Sequence, residues 1–247
     1  MPIQYDGKSI IRHNSINYGS YHDYMDRSSR ESEKASERIR RAVARRSRAE
    51  WIAGQPREFR AATIQSIGEH DPQAMRALES AVEESRRTGN PCSLIIGSEY
   101  VRNNGESVSP RGKTWAIYAY IKALLSAEII IDPSSEIVMT NEVEILDGYT
   151  DWRNSTLSKT RKRLFDGSRL VVIDDINSDA GMMKRSKYGK DAWSRFAADA
   201  ARNANGCGII VAFSGDYDDM SLQPVKDSLR KVMSGSKKVL LRKGVDR

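Results

Sequence analysis

Four short runs of consecutive apolar residues constrain this chain more than any other feature. They lie within Cys92–Ser98 (CSLIIGS), Arg169–Asp175 (RLVVIDD), Cys207–Gly215 (CGIIVAFSG), and one of two neighbouring candidates, Glu128–Asp132 or Glu136–Thr140. A strand with one wet face alternates apolar and polar residues, whereas a strand that is apolar at every position has both faces covered. Helical or irregular stretches separate the runs and are long enough to serve as crossovers, so the pattern predicts an α/β fold, a parallel sheet flanked by helices. KKVLLRK, residues 237–243, adds a candidate edge strand.

With 247 residues the chain can hold one main core and a smaller attachment. No apolar run is long enough to span a bilayer, and the N-terminus lacks the charged-then-apolar plan of a signal peptide, so a cytoplasmic protein without a membrane partner is expected. Two cysteines, Cys92 and Cys207, are too few for a disulfide framework or a cysteine-rich metal site. The net charge of +7 favours an anionic partner.

Three regions are expected. Residues 1–26 carry no sustained period and read as a flexible arm. Residues 27–55 form a basic helical region, with Ser28 or Ser29 as N-cap, Ala35, Ile39, Ala42, Val43, Ala49 and Ile52 on one broad face, and Lys34, Arg38, Arg41, Arg45, Arg46 and Arg48 on the other. The basic face is either a solvated surface or a contact for nucleic acid or an acidic partner. Gly54 and Pro56 end that helix, and the main domain is expected over 56–247. Within it, Asp71 reads as an N-cap, Pro72 as the first turn and Gly89 as the stop of a further helix.

The chemistry concentrates where the first strand gives way to a helix. NNGESVSPRGKTW, residues 103–115, ends in Gly112-Lys113-Thr114, the close of a phosphate-binding loop, but Ser107 stands where that pattern has its first glycine, and Pro110 removes an N–H donor inside the loop. In such a loop backbone N–H groups and the helix N-terminus bind phosphates, the lysine reaches the β- and γ-phosphates, and the threonine hydroxyl ligates Mg²⁺. Arg111, Gly112, Lys113, Thr114 and Trp115 are therefore the expected ATP-binding residues. About sixty residues after Lys113, LVVIDD matches a Walker B strand: Asp174 would join Thr114 in holding Mg²⁺, and Asp175 would act on the attacking water. Ser214, ending the next apolar run, is the candidate sensor of the γ-phosphate, with Asp216 as the alternative. Arg230 is a candidate arginine finger reaching a neighbouring subunit, the alternative being a solvated or DNA-contacting arginine.

PREFRAATIQSI read as a basic helix, GKTW, LVVIDDI, AWSRFAADAARNANGCGIIVAFSGD and LRKVMSGSKKVLLRKGVDR together resemble the DnaC-type helicase loaders, AAA+ P-loop ATPases of bacterial and phage replication, over about Pro56–Arg247. The resemblance implies an AAA+ (RecA-like) core that binds ATP and single-stranded DNA, an N-terminal region that engages a replicative helicase, and a homo-oligomer assembled through ATP-site interfaces. It assigns Lys113 and Thr114 to Walker A, Asp174 and Asp175 to Walker B, Ser214 to the sensor and Arg230 to the finger. The chain departs from that family in ending soon after the last expected strand, with little room for the helical lid that many AAA+ proteins append. Two other functions stay open: an IstB-like transposition helper ATPase, and a non-hydrolysing P-loop adaptor.

Overall fold

The computed structural model describes the backbone of residues 18–99, 112–150, 154–176, 179–203, 206–216 and 222–242, and their side chains apart from 18–24, 98–99, 154–155, 179–188, 214–216 and 242. Ser107, Pro110 and Arg111 thus lie outside the described residues. The chain divides into two compact units, one ending at Arg46 and the other beginning at Ser47. The dividing point falls inside the first helix, α1 (Tyr18–Gly54), whose end at Gly54 is where the glycine–proline signal put it.

Helix α1 starts ten residues before the expected cap at Ser28 or Ser29, so residues 18–26 are helical rather than a loose arm. No proline interrupts Tyr18–Arg27, and a serine inside a helix that already exists has no need to cap it. PREFRAATIQSI is likewise not one helix. A 3-10 turn (Arg57–Ala61) and α2 (Ile64–Gly68) are separated by extended Ala62 and Thr63, because Thr63 caps α2: its Oγ1 accepts from Ser66 N at 3.0 Å, and Ser66 Oγ accepts from Thr63 N at 3.1 Å. Next comes α3 (Pro72–Thr88), bounded as its sequence signals: Asp71 Oδ1 accepts from Ala74 N at 2.9 Å, Pro72 opens the first turn, and Gly89 closes it at φ 71°.

Five strands follow: β1 (Leu94–Glu99), β2 (Ile137–Asn141), β3 (Leu170–Ile176), β4 (Gly208–Asp216) and β5 (Lys237–Arg242). All pair in parallel, in the order β2-β3-β4-β1-β5, so the expected parallel sheet is present and KKVLLR is its edge beside β1. Of the two candidates for the second strand, Glu136–Thr140 is the one that pairs. Ile129 and Ile130 are buried without joining the sheet.

Alternate residues of the strands face opposite layers. Leu94, Ile96, Leu170, Val172, Ile210 and Ala212 share one core with α2, α3 and α4 (Lys113–Ser126). The opposite face, with Val171, Ile173, Ile209, Val211 and Phe213, packs on α6 (Glu142–Thr150), α7 (Asn154–Phe165), α8 (Asp179–Arg202) and α9 (Gln223–Leu229), and the short α5 (Pro133–Glu136) precedes β2. Both faces are covered, which is why the strands read as unbroken apolar runs. No helix among the described residues is long and apolar enough to cross a membrane.

Candidate nucleotide site

Helix α4 carries the phosphate-loop ending, and its burial fixes where that ending points. Ala116, Ile117, Tyr118, Ala119, Tyr120, Ile121, Leu124 and Leu125 are all buried, so the helix is apolar around most of its circumference. A fully satisfied polar network locks it. Tyr120 Oη donates to Cys92 O at 3.0 Å and lies 2.9 Å from Ser85 Oγ, which in turn accepts from Cys92 N at 2.8 Å. The network ties α4 to α3 and to the start of β1. Gly112 precedes the helix as N-cap at φ 125°, ψ −5°, a conformation that L side chains rarely adopt; a Cβ would meet only Leu241 Cδ1 at 3.8 Å, so backbone angle and not crowding demands glycine here.

The ends of three strands become irregular at one level of the sheet. Between Ile173 and Ile176, β3 slips out of register with β4, and Asp175 takes a left-handed φ of 59°. Between Ile96 and Ser98, β1 slips against β4 in the stretch where β4 carries Ser214 and Gly215. Bulges of this kind re-aim side chains at strand ends. Because β4 lies between β1 and β3, the strand before the Gly112–Thr114 segment and the strand that carries Asp174 and Asp175 are separated by the strand that carries Ser214.

Across this gap Thr114 and Asp174 meet: Thr114 Oγ1 donates to Asp174 Oδ2 at 2.9 Å, while Asp174 Oδ1 accepts from Asp175 N at 2.9 Å. Burial pushes the Asp174 carboxyl above the usual carboxylate range. The two accepted hydrogen bonds and the Lys113 charge oppose that rise, and the Asp175 charge adds to it. Lys113 shows the complement, its ammonium pushed down by burial and held up by attraction to Asp174 and then Asp175. The structure therefore brings Gly112, Lys113, Thr114, Asp174 and Asp175 together.

Other expected residues stand differently. Trp115 is turned toward the segment before α3: its Nε1 donates to Ser66 Oγ at 3.0 Å and its ring meets Phe59 edge-on at 6.5 Å, while Phe59 stacks on Tyr118 at 4.7 Å. Ser214 is placed by its backbone in β4, but its side chain lies outside the described residues. Arg230, at the C-cap of α9, is exposed and pairs with Asp227 of the same helix at 2.5 Å, outside the Thr114–Asp174 cluster. The Ser66–Trp115 contact and Lys122 Nζ donating to Arg60 O at 2.7 Å escaped sequence reasoning, since nothing in the sequence couples positions so far apart.

Thr114 and Asp174 offer hard oxygen donors, one of them a half-buried carboxylate beside the lysine, and this set fits Mg²⁺. No cluster of three or more His, Cys, Asp or Glu residues suited to a metal occurs among the described residues, so any divalent ion here would depend on other oxygens for most of its coordination.

No protein-family model matches the chain, and no curated protein matches it. Similar solved structures include domain III of the replication initiation protein DnaA from Thermotoga maritima (16% identity, 69% of this chain and 62% of that one, TM-score 0.48). A second is the DnaC helicase loader (13% identity, 75% and 99%, TM-score 0.47), and a third is a DNA replication initiation factor (16% identity, 75% and 50%, TM-score 0.44). The chain spans less than two thirds of the length of the first and third. The likeness concerns fold alone. What this chain's own topology and site define is a P-loop α/β sheet: an interior strand preceding the Gly-Lys-Thr helix, with the acidic strand end one strand removed.

Proposed function

We propose that this chain is an ATP-binding protein of DNA replication that loads or assists a replicative helicase on single-stranded DNA. The 2.9 Å hydrogen bond between Thr114 and Asp174 supports the nucleotide part, because it joins two residues sixty positions apart that this reading assigns to the Walker A and Walker B motifs. The motif resemblance to DnaC-type loaders supports the rest. In this reading the α4 N-terminus and the Lys113 ammonium bind the β- and γ-phosphates of ATP, and burial of Lys113 strengthens its attraction to them by excluding water. Thr114 and Asp174 hold Mg²⁺, which when bound neutralises charge on the phosphate oxygens. Asp175 orients the attacking water and accepts its proton, Ser214 senses the γ-phosphate, and Arg230 reaches a neighbouring copy's site in a homo-oligomer.

The test is Mg-ATP binding and steady-state hydrolysis on the full chain, with and without single-stranded DNA, beside Lys113→Ala. Loss of the phosphate-facing ammonium should weaken ATP binding by at least about a hundredfold, or ~2.7 kcal/mol, and abolish turnover. Unchanged binding would show the loop to be misassigned. Lysine-dependent binding without turnover in the native chain would point to a nucleotide-gated adaptor instead.

A further inference from the structure

The basic face of α1 holds none of the residues assigned above to the nucleotide site, and its cations are regularly spaced. Arg27, Arg30, Lys34, Arg38, Arg41 and Arg45 follow one another at intervals of three or four residues, and all six are exposed. At 100° per residue they fall within a stripe about 80° wide, and at 1.5 Å per residue the stripe runs for about 27 Å, one cation per turn. Glu31 and Glu37 flank the stripe rather than interrupting it, and Glu37 is engaged with Arg41 at 2.5 Å. Such a row of like charges opposes helix formation through i,i+4 repulsion that Glu31 and Glu37 offset only in part, and a bound polyanion would relieve the rest.

We infer that this stripe binds the phosphate backbone of double-stranded DNA without regard to sequence. Three features select that occupant. The spacing suits a polyanion, and about 27 Å of helix matches roughly eight base pairs of duplex. The stripe holds no aromatic or aliphatic side chain, so it offers neither the stacking platform that single-stranded DNA uses nor the apolar anchor of a protein interface. The exposed apolar residues of the same helix, Met25, Ile39 and Val43, stand on the opposite side, so a protein docked on them leaves the cations open. The inference adds a duplex-binding surface to a protein whose proposed nucleic-acid partner is a single strand, and it is independent of the nucleotide site.

The experiment measures binding of the full chain to a 30-base-pair duplex of mixed sequence, to oligo(dT) of equal length and to polyglutamate, across a salt titration. The native chain should show log K falling against log salt with a slope of about −5 on duplex. Replacing Arg30, Lys34, Arg38 and Arg45 with alanine should reduce that slope by about 3.6 and weaken duplex binding by roughly a hundredfold at low salt. Helix content by circular dichroism and Mg-ATP binding should stay unchanged, since alanine favours the helix and none of the four residues belongs to the nucleotide site. Arg30→Lys, Arg38→Lys and Arg45→Lys together should keep the native slope. If the alanine variant loses helix content, Arg38→Glu with Arg45→Glu reads the same loss. An unchanged duplex slope would overturn the inference. So would a loss confined to oligo(dT), which would make the stripe a single-strand site, or an equal loss on polyglutamate, which would mark it as a surface for acidic proteins. A failure of Lys113→Ala to affect ATP binding would overturn the nucleotide reading and leave this one standing.

Discussion

Asp174 is half-buried and Asp199 almost wholly buried, and the chain treats the two carboxylates in opposite ways. Asp199, on α8, is 3% exposed and lies between two guanidiniums: Arg161 of α7 donates to Oδ2 and Arg202 to Oδ1 at 2.9 Å. Its charge is answered in full by the fold. Asp174 receives a hydroxyl and a single backbone N–H, with the Lys113 ammonium as a nearby charge that is itself disfavoured by burial. A buried carboxylate answered by arginines serves architecture. A half-buried one whose pKa is raised by burial despite a nearby lysine is carried at a cost to the nucleotide-free protein, as befits a group that a bound cation would satisfy.

The largest effect on stability should come from the architectural partner. Asp199→Ala removes the shared acceptor of Arg161 and Arg202 and unlinks α7 from α8. Breaking a buried pair costs about 3–5 kcal/mol, but the Arg161 and Arg202 side chains are 43% and 69% exposed and regain water, so a loss of about 2 kcal/mol is expected in urea unfolding. ATP affinity should not change. A stable variant that fails to bind ATP would erase the distinction between the two aspartates.

A smaller change of opposite sign is expected at Asp174. Its carboxyl is raised above the ordinary value in the folded state, so its stabilising contribution belongs to the protonated form, present at acid pH and lost as pH rises through the raised value. At neutral pH Asp174→Asn should therefore stabilise the nucleotide-free protein by about 1 kcal/mol, raising Tm by about 2–4 °C. The gain should shrink as pH is lowered into the range where the native carboxyl is itself protonated. Thermal scans with and without Mg-ATP provide the check. The native protein should gain Tm from Mg-ATP and the variant should gain little, whereas equal gains would remove Asp174 from the metal site.

The contrast between these regions also marks what the sequence made legible. The strand runs, the Asp71 cap, the Gly89 stop and the Gly112–Thr114 and Asp174–Asp175 motifs are local patterns, and each stands in the structure where the pattern put it. Two local signals misled. Glu128–Asp132 has a strand's composition, yet Glu128 takes a left-handed φ of 56° and closes α4, with Ile129 N donating to Leu124 O at 3.0 Å, so its isoleucines reach the core from a turn. Ser28 and Ser29 have a cap's composition inside a helix that had already begun. What no local pattern encodes is the long-range polar pairing, Trp115 with Ser66 or Arg161 with Asp199, because one arginine or serine among many carries no mark of its partner.

The smallest effect on stability, and the sharpest division between fold and chemistry, is expected at Asp175. The side chain is exposed and its backbone sits at φ 59°, a region that Asp and Asn tolerate better than other L-residues. Asp175→Asn preserves that tolerance, so urea unfolding should move by no more than about 0.5 kcal/mol, and ATP binding should persist. Asp175→Ala brings in a residue without the local hydrogen bonding that eases the left-handed region, and should cost about 1 kcal/mol. If Asp175 acts on the attacking water, both variants should lose hydrolysis to the same extent although only one loses stability. Turnover that instead follows stability across the pair would assign Asp175 to the shaping of the β3 bulge, leaving Asp174 as the one carboxylate of this strand end that the chemistry requires.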